Sequence, residues 1–216
     1  GVHVCLAEHQ SAGRGRRGRH WVSPFASSVY CSVACPFEGG AQSLGGLSLA
    51  VGVIVCDALE SMGVQDLGLK WPNDVYCGGK KLAGVLIELQ GDLAGTVTAI
   101  IGVGVNVRLP SIAADTIEQA WTDLSTVAEP VSRNVLVGRY LNRLLPALDA
   151  YGRDGFADWR ERWQELDIYA DQPVVIHSGD RRITGTARGV DENGALLLET
   201  AAGVSSFHGG EVSLRP

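Results

Sequence analysis

The run TVTAIIGVGVNV, residues 96–107, is the strongest single constraint on what this chain can fold into. It is long, uncharged and rich in β-branched residues, so it reads as a central strand. A second apolar stretch, LGGLSLAVGVIVCDALESMG (44–63), carries Leu47, Val51, Ile54, Val55, Ala58, Leu59 and Met62 at helical spacing. It predicts a buried helix with Gly63 at its C-terminal cap. Such a strand beside such a helix places the first part of the chain in a sheet-and-helix class.

The flanking segments fill in that class. Residues 2–8 alternate loosely as a strand, and SVYCSVAC (28–35) is β-rich after the break at Pro24. LGLKW (67–71) alternates, with Leu67, Leu69 and Trp71 on one side and Lys70 on the other. Pro72-Asn73-Asp74 is a turn, and VYC and KLAGVLIEL flank the turn GGK as a hairpin. A polar loop, RLPSIAADTIEQAWTDL, follows the central strand. Residues 133–151 carry Val137, Leu141, Leu144, Leu145 and Leu148 at helical spacing, and 156–166 form a second short amphipathic helix. After Tyr169 the texture changes to short strands separated by Gly-Asp, Asp-Glu-Asn-Gly and Gly-Gly turns, which read as a small antiparallel barrel. The expected units are 1–169 and 170–216.

Composition narrows the class of partner. The 216 residues are 45% hydrophobic and 19% charged, enough for a real core and too few charges for disorder. Net charge is −6, and removing the four arginines at 14, 16, 17 and 19 would leave −10. A local cationic focus on an acidic body favours a small anionic ligand over a long polyanion. Five cysteines with no C-x-x-C pair speak against a zinc site or a disulfide framework and for a reducing cytoplasm. No signal peptide is visible, and the apolar stretches fall short of the roughly 18 residues that span a membrane. The chain opens without an initiator Met inside a predicted strand, so part of the first unit is expected to lie upstream.

The stretch AGRGRRGRHW (12–21) matches G-x-G-x-x-G through Gly13, Gly15 and Gly18, with Glu38 twenty residues on. The dinucleotide reading needs a helix after the last glycine, and Pro24 denies it one. Two readings stay open, a solvated basic loop and an anion clamp. Arginine supplies bidentate donors, and the interspersed glycines permit close approach and mobility. A nucleic-acid patch is the weaker alternative, given the acidic body. In KWPNDVYCGGKKLAGVLIE (70–88), Lys70, Asn73, Asp74, Lys80 and Lys81 surround a bend and a hairpin. That is either a solvated hairpin or a polar site in which lysine neutralises an anion and Asp74 holds Mg²⁺. Ala83 and Gly84 would leave room for a ligand. In GVGVNV (102–107), Gly102 and Gly104 mark a bulge or a close approach, and Asn106 could read a ligand edge.

Together QSAGRGRRGRHWVSP (10–24), KWPNDVY (70–76), KKLAGVLIE (80–88), GVGVNV (102–107) and the tail GALLLE…HGGEVSL (194–214) resemble the biotin protein ligases, collinearly along the chain. The resemblance implies an α+β fold. Its first unit would be a class II aminoacyl-tRNA synthetase-like mixed sheet flanked by helices, and its second a small SH3-like β-barrel. It implies biotin and ATP as substrates with Mg²⁺, biotinyl-5′-AMP as intermediate, and a lysine of a biotin carboxyl carrier protein or domain as acceptor. Arg16 and Lys81 would be catalytic. Gln10, Gly13, Arg14, Gly15, Arg16, Lys81 and Gly84 would bind biotin. Arg17, Arg19, Trp21, Asn73, Asp74, Asn106, Trp121 and Arg215 would bind ATP, with Asp74 the Mg²⁺ ligand. No membrane or nucleic-acid partner is expected, since the helix-turn-helix of some members is absent, and a homodimer is compatible. The upstream Ser/Thr-Thr-Asn segment of active members is not found in these residues, which leaves a truncated or inactive biotin-binding homologue, or a lipoate-type ligase, as the alternatives.

Overall fold

The computed structural model describes residues 1–92, 94–111, 116–178 and 181–214. Residues 112–115 of the polar loop, and Arg215, lie outside them. The first unit contains β1 (His3–Ala7), β2 (Ser28–Phe37), α1 (Leu47–Glu60), β3 (Leu67–Lys70), β4 (Asp74–Cys77), β5 (Lys80–Gly91) and β6 (Val97–Asn106), then α2 (Leu124–Val127), α3 (Arg133–Asp154) and α4 (Arg160–Leu166). The strands form one sheet in the order β1-β2-β6-β5-β4-β3. β6 is central as its sequence requires, paired along its whole length with β2 from Asn106–Ser28 to Val97–Phe37. Neighbouring strands are antiparallel, and among the described residues parallel pairing is confined to the isolated bridges Leu69–Asp167 and Lys81–Trp121.

The alternation along β6 divides the molecule. Val97, Ala99, Ile101, Val103 and Val105 are buried with the helices, while Thr98, Ile100, Gly102 and Gly104 occupy the half-buried opposite face. Helix α1 lies against β3, β4 and β5, and α3 lies against α1 and β2. One sheet face is thus a core and the other is free to form a site.

Helix α1 is buried nearly all round, from Leu47 to Leu59. By length and composition, Ala41–Glu60 (mean hydropathy 1.6) is apolar enough to cross a membrane, against the expectation from sequence. Here it is the core helix of a two-layer fold, which must be apolar on every side. Its end is closed as predicted. Gly63 (φ 86°) lets the Val64 N–H donate to Leu59 O at 3.2 Å and its own N–H donate to Glu60 O at 2.9 Å. In α3 the buried stripe is Leu136, Tyr140, Leu144, Leu148 and Tyr151. Leu145, expected inside, is exposed, because two tyrosines fill turns of the apolar face that aliphatic spacing alone does not reveal. The short α2 was hidden in the polar loop. Its cap is Asp123, whose carboxylate accepts from the Thr126 N–H at 3.0 Å.

The second unit is a five-stranded antiparallel sheet, β7 (Pro173–Ser178), β8 (Arg181–Val190), β9 (Leu196–Thr200), β10 (Gly203–Phe207) and β11 (Glu211–Leu214), ordered β10-β9-β8-β7-β11. Val174, Ile176, Ala187, Leu196, Leu198 and Val212 are its core. It docks through the β8–β9 turn. The buried Trp71 indole donates to Gly194 O at 3.1 Å. Gly194 (φ 76°) lies so close to α1 that an added Cβ would stand 2.6 Å from Gly46 Cα. Gly194→Ala therefore adds left-handed strain to a backbone clash, and should cost roughly 2 kcal/mol in a urea melt.

The end of the first unit, just before the second begins, is fixed to β3. The Ile168 N–H donates to Leu69 O at 3.0 Å, and the Asp167 carboxylate accepts from the Tyr169 N–H at 3.0 Å. The other carboxylate oxygen of Asp167 is buried without a hydrogen-bond partner among the described residues. Burial raises the Asp167 carboxyl from 3.8 to about 6, the Tyr169 N–H opposes that, and Asp171 adds to it. The folded state holds this proton more tightly than the unfolded chain. Its contribution to stability is therefore largest below pH 4 and is lost as pH rises from about 4 through 6. The loss is on the order of 3 kcal/mol. Asp167→Asn should abolish that decline, read as urea midpoints at pH 4 and pH 7.5.

Candidate active site

The arginine-rich stretch folds back on itself as a tight hairpin. Arg14 and His20 form an antiparallel bridge, the Trp21 N–H donates to Gly13 O at 2.9 Å, and the Gly15 N–H donates to Arg19 O at 2.7 Å. The turn is Arg16–Gly18, with Arg17 (φ 55°) and Gly18 (φ 73°) in the left-handed region. A Cβ on Gly13 would sit 2.5 Å from Trp21 O, so that glycine is set by the hairpin's own closure. No helix follows Gly18, and the next regular element is β2. The dinucleotide match is therefore incidental, since the helix N-terminus that would hold a pyrophosphate is absent from this stretch.

Each arginine of the hairpin has a partner. Arg14 pairs with Glu88 at 2.8 Å on β5. Arg16 donates to Asn73 Oδ1 at 3.4 Å and to Gly210 O at 3.3 Å. Arg17 donates to His177 O at 3.3 Å and stands 4.0 Å from Glu211, and Arg19 pairs closely with the same Glu211. The hairpin is thereby laid across the sheet from β5 to the second unit. Among the described residues, Arg16 alone of the four has no carboxylate partner.

Beneath it lies a cavity of about 460 Å³. Over β2 and β6 its floor is neutral, made by Ser32, Ile100, Gly102 and Gly104 with Gln10 at the rim. Over β5, β4 and β3 it is charged, with Lys81, Asp74, Lys70, Arg16 and Arg19. Lys81 Nζ lies 2.8 Å from Asp74 Oδ1, and both side chains are largely buried. That oxygen has no aligned hydrogen-bond donor, so the contact is ionic and geometrically loose. Burial draws Arg16 below its ordinary pKa and the neighbouring Arg17 adds to this, while Asp74 and Glu211 oppose it. A guanidinium stays protonated regardless. The thiol at this cavity, Cys31, is pushed up to about 11 by burial, so it remains a neutral thiol.

Gly84 and Gly104 have a specific neighbour. A Cβ on Gly104 would meet the Trp21 ring at 2.6 Å, and one on Gly84 would meet it at 3.1 Å. The strands keep regular register here, so the glycines mark a close approach rather than a bulge, and the approaching group is an indole. Lys81 Nζ stands 5.6 Å from the same ring. Trp21 and Lys81 also border a second cavity of about 450 Å³, with Arg19, Val22, Asn106, Ile117, Gln119 and Trp121. Asn106 is buried and one amide N–H is bound to Thr122 O at 3.1 Å. Among the described residues no hydrogen bond is seen for its carbonyl or its second N–H, and a primary amide can offer both to one partner.

The structure thus gathers Gln10, Arg14, Gly15, Arg16, Arg19, Trp21, Asn73, Asp74, Lys81 and Gly84 at the first cavity, and Asn106 and Trp121 at the second. It does not bring Arg17 to either, because that side chain is drawn to the second unit. Gly13 serves the hairpin backbone. Asn73 is held by its own amide, which donates to Val85 O at 2.8 Å. Sequence reasoning passed over Glu88, His177 and Glu211, which lie far along the chain from the arginines they hold.

Residues 2–106 match the biotin/lipoate A/B protein ligase family, and residues 170–215 match the biotin protein ligase C terminal domain. The chain is 39% identical over 212 residues to the bifunctional ligase/repressor BirA of Salmonella typhimurium, covering 98% of this chain and 66% of that protein's length. It is 35% identical over 217 residues to the biotin–[acetyl-CoA-carboxylase] ligase of Paracoccus denitrificans, covering 96% of this chain and 88% of that one. The solved biotin protein ligase from Aquifex aeolicus in complex with biotin and ATP has a TM-score of 0.81 at 30% identity, covering 98% of this chain and 88% of that one. The chain belongs to the biotin protein ligase family.

The glycine floor gives a direct test of how the hairpin is held. Gly104→Ala should lift the Trp21 indole and loosen the hairpin, so that trypsin cuts at Arg14–Arg19 several times faster than in the unchanged protein. An unaltered cleavage rate would show that the ring does not anchor it.

Proposed function

We propose that this protein activates biotin with ATP to biotinyl-5′-AMP and transfers the biotinyl group to a lysine of a biotin carboxyl carrier domain. One observation carries the reading. A single hairpin sets a guanidinium without a carboxylate partner, Arg16, over a cavity that also holds the buried Lys81, beside a second cavity walled by Trp21 and Trp121. Joining a carboxylate to a phosphate brings two anions together, and preorganised buried cations lower that barrier. The neutral floor suits an uncharged bicyclic ring. The second cavity suits an aromatic base, with Asn106 at its edge.

In the first step a biotin carboxylate oxygen attacks the α-phosphorus, and the bond to the β-phosphate oxygen breaks with its electron pair leaving on pyrophosphate. In the second, the carrier's neutral lysine amine attacks the acyl carbon, the bond from that carbon to the phosphate oxygen breaks with its electron pair leaving on AMP, and the amine's surplus proton passes to solvent. Lys81 and Arg16 would stabilise charge on the carboxylate and the α-phosphate. Gln10, Arg14, Gly15 and Gly84 would line the biotin end, and Arg19, Trp21, Asn73, Asn106 and Trp121 the nucleotide end. Asp74 is one carboxylate already paired with Lys81, which fits a magnesium ion held mainly by the nucleotide's own phosphates. That ion would supply further charge neutralisation at the phosphates. A cytoplasmic setting belongs to the same reading, supported by five free cysteines.

A lipoate-type ligase shares the first family description, but the C-terminal domain match and the arginine hairpin favour biotin. Mass spectrometry after mixing the protein with biotin, ATP and magnesium should show biotinyl-5′-AMP, with no corresponding product from lipoate. Lys81→Ala should lower ATP–pyrophosphate exchange by about 10²–10³-fold, the scale of removing one group that stabilises developing charge. Near-normal exchange would refute that role.

A further inference from the structure

Among the described residues, five border both cavities, Arg19, His20, Trp21, Lys81 and Gln119, and so mark the passage between them. A carboxylate reaching out of the first cavity meets a phosphate reaching out of the second at that passage. An amine that attacks there arrives with two hydrogens and ends as an amide with one, so a proton must be taken from it. Arg19 and Lys81 are each paired with a carboxylate, the Trp21 indole only donates, and the Gln119 amide is not basic. Histidine is the side chain that takes and releases a proton near neutral pH. The carboxylates of the first cavity are engaged, Asp74 by Lys81, Glu88 by Arg14 and Glu211 by Arg19. Glu118 borders the second cavity and not the first, and His177 the first and not the second. His20 is exposed, and its backbone bridges Arg14 across the hairpin. Its ring has no hydrogen bond or ion pair among the described residues. The charged groups around it are Arg14 across the hairpin, Arg19 beside it, Lys81 from β5 and Glu118 from the loop after β6.

We infer that His20 is the proton acceptor of the transfer step, a catalytic residue that takes the surplus proton of the carrier lysine at the passage between the cavities and hands it to solvent. The inference rests on the adenylation reading above. The amine nitrogen bonds to the acyl carbon, and the bond from that carbon to the phosphate oxygen breaks with its electron pair leaving on AMP. One N–H proton of the amine moves to the unprotonated ring nitrogen of neutral His20. The imidazolium then gives that proton to water, which the exposure of the residue allows. Activation needs no such acceptor, since a carboxylate attacks without losing a proton. The two half-reactions therefore differ in their dependence on His20.

The test is single-turnover transfer from preformed biotinyl-5′-AMP to the carrier domain of an acetyl-CoA carboxylase, by the unchanged protein and by His20→Gln. At pH 7 the substitution should slow transfer about a hundredfold, and roughly tenfold or more beyond any loss of ATP–pyrophosphate exchange. The deficit should shrink towards pH 9, where more of the carrier's amine is already neutral. Added imidazole should restore part of the rate at pH 7, which a merely structural role would not allow. Transfer within about twofold of the unchanged protein, an equal loss of both half-reactions, or a deficit that neither imidazole nor pH relieves would each overturn the inference. If the unchanged protein transfers nothing from the supplied adenylate, the proposed function and the inference fall together. If it makes the adenylate and transfer survives His20→Gln, the inference falls alone.

Discussion

Holding more positive than negative side chains around one half-enclosed cavity, on a protein whose net charge is −6, is the constraint on which the rest of the site depends. Cations crowded in a half-dry cavity repel one another, and the fold answers with carboxylates brought from separate elements. Asp74 comes from β4, Glu88 from β5 and Glu211 from β11. Each neutralises one cation and fixes its direction. What remains unneutralised defines where an anion gains most by binding.

That arrangement explains why the small second unit is part of the site. It supplies Glu211, His177 O and Gly210 O to the arginine hairpin, and the junction before it supplies Tyr169. The docking that makes this possible is built on backbone contact, with Gly194 against Gly46 and the Trp71 indole on Gly194 O. Asp167 is the strained element of the junction, a carboxylate with one oxygen buried and unpaired. The two units therefore share electrostatics as well as surface.

Much of the fold was legible because it follows from local rules. The uncharged β-branched run became the central strand, the apolar stretch became the buried helix, and Gly63 closed it by the geometry only glycine adopts readily. The tail's turn residues gave the second sheet. Where local reading slipped, packing decided otherwise. Leu145 lies outside because Tyr140 and Tyr151 fill the helix face, and α2 arises from one aspartate cap within a polar loop. The glycines at 84 and 104 were recognised as places of close approach, but nothing local says that the visitor is Trp21.

The sequence by itself singled out most of the candidate residues that the fold gathers at the two cavities, because an arginine hairpin with glycine spacing and a lysine beside an Asn-Asp turn are chemically distinctive in isolation. It also determined the order of strands and helices, because periodicity and turn chemistry act over a few residues. The tertiary structure alone decided how charge is shared among them. Arg17 is turned away to the second unit, Arg19 is bound to a glutamate nearly two hundred residues on, and Lys70 lies near two rings with no carboxylate in ion-pair range among the described residues. Coulombic pairing depends on distance in space, and distances between separate elements are fixed only when the sheet, its helices and the second unit have packed.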